Sequence, residues 1–268
     1  MEVISDKNTL QKQIEKYKNE GKSIGFCPTM GYLHQGHISL VEQSKKQCAI
    51  TVVSIYVNPS QFNNLEDFEK YPRDIEKDLV LLKNSGVDIV WVPNQAEIES
   101  VKLDFTIDFK GLDMVMEGFY RPGHFKGVSE VVYRLFKVVQ PNFAFFGTKD
   151  YQQLQIINLL INQNNLPIKL IPVETLRAPK GLALSSRNAR LSDEAKELAN
   201  EIYTQLNEVK NNIYKTNFLA LQNTYKQRLH EIGVEVEYIE KFDFADGTSR
   251  LFTAVYLDNV RLIDNIAL

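Results

Sequence analysis

Cysteine is nearly absent: the 268 residues contain two, Cys27 and Cys48. Two are too few for a disulfide framework, so a reducing cytoplasm is the expected setting and both thiols read as small packing residues. Long apolar runs are missing too. Although 44% of the residues are hydrophobic, no stretch reaches the roughly 18 consecutive apolar residues of a membrane span. Residues 1–16 lack the apolar centre of a secretory signal. Nor is there an excess of positive charge: 31 Lys and Arg stand against 34 Asp and Glu, for a net charge of −3. That balance argues against a nucleic-acid partner. What remains is the composition of a soluble globular chain, long enough for one large domain or two modest ones.

Along residues 1–176 strand-like and helix-like runs alternate. Residues 23–27 form a short apolar run, and Ile38, Val41, Ser44 and Cys48 follow at helical spacing, placing a helix start near His37. Residues 49–57 are β-branched and nearly continuous, the pattern of a strand covered on both faces of a parallel sheet. A helix at 74–85 and a strand at 87–92 come next. A helix around 128–135, a strand at 143–146, a helix at 154–161 and a strand at 168–173 complete this part. Such units predict an α/β, Rossmann-like parallel-sheet domain whose ligand lies beyond the carboxyl ends of its strands. The turns at 28–37, 58–62 and 147–153 all leave candidate strands and are expected to meet at one crevice. Residues 177–268 change pattern: two amphipathic helices, at 195–213 and 218–232, precede two strands at 234–242 and 251–257. This reads as a small α+β domain.

Three segments carry chemistry. In Pro28-Thr29-Met30-Gly31-Tyr32-Leu33-His34-Gln35-Gly36-His37, the glycines permit close backbone approach. The helix N-terminus then offers free N–H groups to an anion, and two imidazoles three residues apart can both reach a phosphate. Taken alone, this is equally a tight turn with one packed and one solvated histidine. A metal site is a third reading, although no cysteine or third histidine stands nearby in sequence. In Gly147-Thr148-Lys149-Asp150-Tyr151-Gln152-Gln153, Lys149 can set a point charge on a phosphate and Asp150 can hold Mg²⁺ directly or through water. The bland alternative is a polar helix start. In Gly181-Leu182-Ala183-Leu184-Ser185-Ser186-Arg187-Asn188, hydroxyls beside an arginine suit phosphate gripping. Residues 178–181 before it read as a mobile loop, and the whole segment serves as well as a solvated linker. Two further stretches are less specific. Asn58-Pro59-Ser60-Gln61-Phe62 offers amides to a small polar acid, and residues 117–127 are a turn-rich connection.

Taken together and in order, these segments resemble the pantothenate synthetase (pantoate–β-alanine ligase) family. The resemblance rests on His34-x-Gly36-His37, Asn58-Pro59-x-Gln61-Phe62 and Tyr71-Pro72-Arg73. It extends through Glu117-Gly118-x-x-Arg121-Pro122-Gly123-His124-Phe125-x-Gly127, Gly147-x-Lys149-Asp150-Tyr151-Gln152-Gln153 and Ser185-Ser186-Arg187-Asn188. It implies ATP-dependent condensation of pantoate with β-alanine through a pantoyl adenylate, releasing AMP and pyrophosphate. By the same resemblance Met30, Gly31, Tyr32, Leu33, His34, Gln35, Gly36, His37, Gly147, Thr148, Lys149 and Asp150 line the ATP site. Leu176, Leu184, Ser185, Ser186 and Arg187 also contact ATP. Gln61 and Gln153 hold pantoate, with Asn58 beside them and Gln61 also near β-alanine. His34, His37, Lys149 and Arg187 form the catalytic set, with His37 at the position assigned as proton donor. Asp150 with Mg²⁺ and a homodimer complete the expectation. Two positions depart from the pattern: Leu184 stands where methionine is common, and Thr148 where glutamate is common.

Overall fold

A computed structural model describes residues 1–63 and 65–268, and the chain divides into two compact units, Met1–Glu174 and Thr175–Leu268. The first unit runs β1 (Glu2–Ile4), α1 (Lys7–Asn19), β2 (Ile24–Thr29), α2 (Gln35–Gln47), β3 (Ile50–Ile55), α3 (Leu65–Glu69), α4 (Ile75–Asn84), β4 (Ile89–Trp91) and α5 (Gln95–Glu99). It continues with α6 (Met116–Tyr120), α7 (His124–Val139), β5 (Phe143–Gly147), α8 (Tyr151–Gln163) and β6 (Lys169–Val173).

Its six strands pair in the order β1-β4-β3-β2-β5-β6, and every pairing is parallel. The centre of this sheet is apolar on both faces. Every residue of β3 is buried, as its β-branched run requires, and Phe26, Val52, Val53, Val90, Ala144 and Phe145 are fully enclosed. From β2 the chain steps outward to β3 and β4, then returns to place β5 on the other side of β2. The strand order therefore reverses between β2 and β5. In an open α/β sheet that reversal opens a crevice at the carboxyl ends, where ligands bind.

The second unit holds α9 (Asp193–Asn212), α10 (Phe218–Glu231) and an antiparallel sheet of β7 (Glu235–Asp243), β8 (Ser249–Leu257) and β9 (Val260–Ala267). Ala199, Ile202 and Leu206 of α9 pack with Tyr225 and Leu229 of α10 and with Ile239, Leu251 and Val255 of the sheet. The expected pair of strands is in fact three. β9 escaped notice because Asp264 and Asn265, buried and polar, interrupt its apolar alternation. β1 and α1 also went unread: β1 has three residues, and α1 buries only Leu10 and Ile14 in a charged stretch. No helix among the described residues is long and apolar enough to cross a membrane.

Candidate active site

The turn after β2 is held by β3 on one side and α4 on another. Thr29 donates its hydroxyl to the Ser54 carbonyl of β3 at 2.8 Å, and the N–H of Tyr56 reaches the Thr29 carbonyl at 3.0 Å. The start of the turn is thus tied to the neighbouring strand. Gly31 and Tyr32 then both take left-handed backbone angles, φ 77° and 50°. Glycine adopts that shape freely, whereas tyrosine pays roughly 1–2 kcal/mol for it. The strain persists because the N–H groups of Tyr32 and Leu33 both donate to the Asp78 carboxylate of α4, at 2.7 and 2.6 Å. Asp78 is buried, and burial pushes its carboxyl above the usual range while the Leu33 and Tyr32 N–H groups pull it back.

The helix that follows starts earlier than the apolar spacing places it. α2 begins at Gln35, with His34 as its N-cap. The His34 Nδ1 accepts the Gly36 N–H at 3.1 Å, and the His34 N–H donates to the His37 Nδ1 at 3.3 Å. The periodicity missed this start because an imidazole did the capping that serine or aspartate usually does. Both Nδ1 atoms are acceptors, so each neutral ring carries its hydrogen on Nε2. The rings lie 4.1 Å apart between centroids. Burial and then the Lys149 charge push the His34 pKa down to about 4. Burial, His34 and Lys149 push that of His37 down to about 3. At neutral pH the pair therefore presents two uncharged Nε2–H donors rather than cations.

The other walls leave the neighbouring parallel strands. Gly147 ends β5, Thr148–Asp150 form one 3₁₀ turn, and α8 starts at Tyr151. This places Lys149 close enough to both histidines to depress their protonation. The Lys149 ammonium lies 3.6 Å from the Asp150 carboxylate. After β3, residues Pro59–Gln61 make another 3₁₀ turn capped by Asn58. The Asn58 Oδ1 accepts the Ser60 hydroxyl at 3.0 Å, and its Nδ2 donates to the Gly127 carbonyl at 3.2 Å. Asn58 is thus buried and occupied in bracing the turn. The Gln61 amide Nε2 points to the Met30 sulfur. The structure so brings Met30 to His37, Gln61 and Gly147 to Asp150 to one end of the first unit's sheet, with Gln153 half-buried in the first turn of α8.

Leu176 and Leu184 to Arg187 belong to the second unit, where they also come together. The Leu184 N–H donates to the Leu176 carbonyl at 3.0 Å, and the Ser185 hydroxyl caps a 3₁₀ turn by accepting the Arg187 N–H at 3.3 Å. Arg177 anchors the start of the loop between them. Arg177 pairs with Asp264 at 2.6 and 2.9 Å, donates to the Gly181 carbonyl at 3.0 Å and stacks 3.9 Å over the Tyr203 ring.

The family model described as pantoate-beta-alanine ligase matches residues 2–267. This chain belongs to the pantoate–β-alanine ligase family. A pantothenate synthetase of Christiangramia forsetii is 44% identical over 288 residues, covering 100% of this chain and 99% of that protein. The crystal structure of pantothenate synthetase from Thermus thermophilus superposes with a TM-score of 0.89 at 34% identity, covering 99% of each chain. A pantoate–β-alanine ligase from Francisella tularensis, solved with β-γ ATP and β-alanine, gives a TM-score of 0.87 at 34% identity over 100% of this chain and 97% of that one.

Leu184 and Thr148 are the two positions expected from sequence to depart from the family's pattern. The link from Leu184 to Leu176 is backbone to backbone, so it does not depend on the side chain at 184. Thr148 is buried in the first unit. Asp78 is the residue that sequence reasoning missed. Its signal was an acid four residues before the buried Leu82, on the same face of the helix.

Proposed function

We propose that this ligase joins pantoate to β-alanine in two steps at the reversal point of its sheet. In the first step a pantoate carboxylate oxygen attacks the α-phosphorus of ATP. The bond to the bridging oxygen breaks, and pyrophosphate leaves with the electron pair. In the second step the β-alanine nitrogen attacks the acyl carbon of the pantoyl adenylate. The bond to AMP breaks, AMP leaves, and the amine sheds its proton to a phosphate oxygen or water. Adenylation gives the carboxylate a leaving group it otherwise lacks.

The supporting observation is the pair of neutral, Nε2-protonated histidines at the N-terminus of α2, with Lys149 beside them. That array suits a polyphosphate. Two uncharged donors and a helix N-terminus meet the phosphate oxygens, and Lys149 supplies the charge. The work is positioning and charge stabilisation rather than covalent catalysis. Because its pKa is held low, His37 acts as a hydrogen-bond donor to the developing charge. For Arg187, with Ser185, Ser186, Leu176 and Leu184, the proposal keeps the ATP-contacting role that the family resemblance implies. Pantoate lies against Gln61 and Gln153, with Asn58 bracing the turn.

The residues also suit a magnesium ion carried by ATP. The donor set is one acid, Asp150, on the same turn as Lys149. Among the described residues no group of three histidines, cysteines or acids builds a protein cage. A single carboxylate with substrate phosphates and water is how Mg²⁺ is usually held at nucleotides. When bound, the ion would neutralise charge on the leaving pyrophosphate. A homodimer, implied by the family resemblance, and a cytoplasmic setting, inferred from the two cysteines, are part of the same reading.

Oxygen transfer tests the adenylate directly. Pantoate labelled with ¹⁸O in its carboxylate should pass one label to the phosphate of AMP during turnover. Label in inorganic phosphate, or in neither product, would overturn the route.

A further inference from the structure

The connection at 117–127 is a motif to which no function has yet been given. It forms α6 and the first turn of α7, and two of its polar side chains are buried: Glu117 is 7% exposed and His124 6%. The Arg121 Nη1 pairs with the Glu117 carboxylate at 3.3 Å and lies 3.1 Å from the His124 Nε2. Its Nη2 donates to the Gln61 carbonyl at 3.1 Å, and the His124 Nδ1 reaches the same carbonyl at 2.8 Å. Arginine only donates and a carbonyl only accepts. His124 is therefore neutral, with its hydrogen on Nδ1 and Nε2 accepting from Arg121. Two donors then occupy both lone pairs of one carbonyl, that of the amide-bearing residue in the turn after β3.

The same segment is tied to α8. Gln152, 2% exposed, accepts the Glu117 N–H at 3.0 Å and donates to the Leu112 and Val115 carbonyls at 2.6 and 2.9 Å. These bonds bracket Met116, which is buried and held at φ 45°. A left-handed methionine is strained by roughly 1–2 kcal/mol, so its surroundings must impose it. Close packing adds to the restraint: a Cβ on Gly127 would stand 2.3 Å from the Ser60 carbonyl oxygen.

We propose that Glu117, Arg121, His124 and Gln152 form a positioning strap that fixes Gln61 relative to the start of α8, and so sets the acid-binding geometry of the site. This rests on the reading above, in which pantoate lies against Gln61 and Gln153. The strap acts through Gln61 rather than by touching the nucleotide. Its loss therefore raises the KM for the acid and spares that for ATP.

Steady-state kinetics of His124→Leu, His124→Asn and Arg121→Lys test this. Asparagine places an N–H where the histidine Nδ1–H stood, and leucine does not. Losing a buried hydrogen bond of this kind should raise the KM for pantoate roughly tenfold or more in His124→Leu, with the KM for ATP within about twofold. His124→Asn should recover most of the loss. Arg121→Lys keeps the charge opposite Glu117 but not the fork, and should show the same selective rise. It carries the test if His124→Leu does not fold, as judged by thermal unfolding. Equal rises in both KM values, or leucine and asparagine variants that behave alike, would overturn the proposal. An unsubstituted enzyme that fails to turn over pantoate would overturn the substrate assignment beneath it, a result distinct from selective loss in the variants.

Discussion

At the scale of single residues, the two imidazoles of the turn after β2 decide what that turn can offer a ligand. Their spacing left donor and cation roles both open. The backbone contacts at each Nδ1 and the low pKa values resolve this in favour of neutral donors. That choice has a measurable consequence in acid. The folded pKa values, about 4 and about 3, lie below the ordinary 6.5. The unfolded chain thus binds more protons below pH 6.5. The contribution is fully present above that pH and is lost as pH falls through 6.5 toward the folded values. A His34→Gln/His37→Gln variant should therefore lose less of its Tm between about pH 7 and about pH 5 than the unsubstituted protein. Parallel losses in thermal melts would contradict the assignment. Lys149 has a different part, since it is the cation of the array. Lys149→Ala should lower kcat by about 10²–10³ with the fold retained. Circular dichroism and turnover on the same sample check both halves of that statement. These histidines and Lys149 could be proposed from sequence because they lie in turns that leave candidate strands. Asp78 could not, because its role depends on two N–H groups more than forty positions away in the chain.

At the scale of elements, the helices and strands with full apolar periodicity were legible. β3 and α7 are examples: the first is buried throughout, and the second buries most of its length. α6 was not legible, because five residues with a strained methionine at their head show no period. β1 and β9 were hidden by brevity and by buried polar residues. Elements also support one another through single side chains, and α4 does so for the turn after β2. An Asp78→Asn substitution keeps one acceptor but sets an amide NH₂ against the second backbone N–H. The turn should loosen, and the KM for ATP should rise roughly tenfold while that for pantoate changes little. Unchanged ATP kinetics would show that the turn holds its shape without α4.

At the scale of the whole molecule, the chain divides at Glu174 and Thr175. The order of elements differs between the two units, because a parallel sheet needs crossover helices while an antiparallel one does not. Each unit closes its own core. The first unit gathers three turns, separated by tens of residues, at the carboxyl ends of β2, β3 and β5. That gathering is why three of the motifs, each weak by itself and far apart in sequence, lie at one end of one sheet. The central claim is that the acid is activated before the amine is needed. Exchange of labelled pyrophosphate into ATP measures this most directly. The account predicts exchange with pantoate alone, without β-alanine. Exchange that requires β-alanine, or that proceeds with β-alanine in place of pantoate, would contradict it.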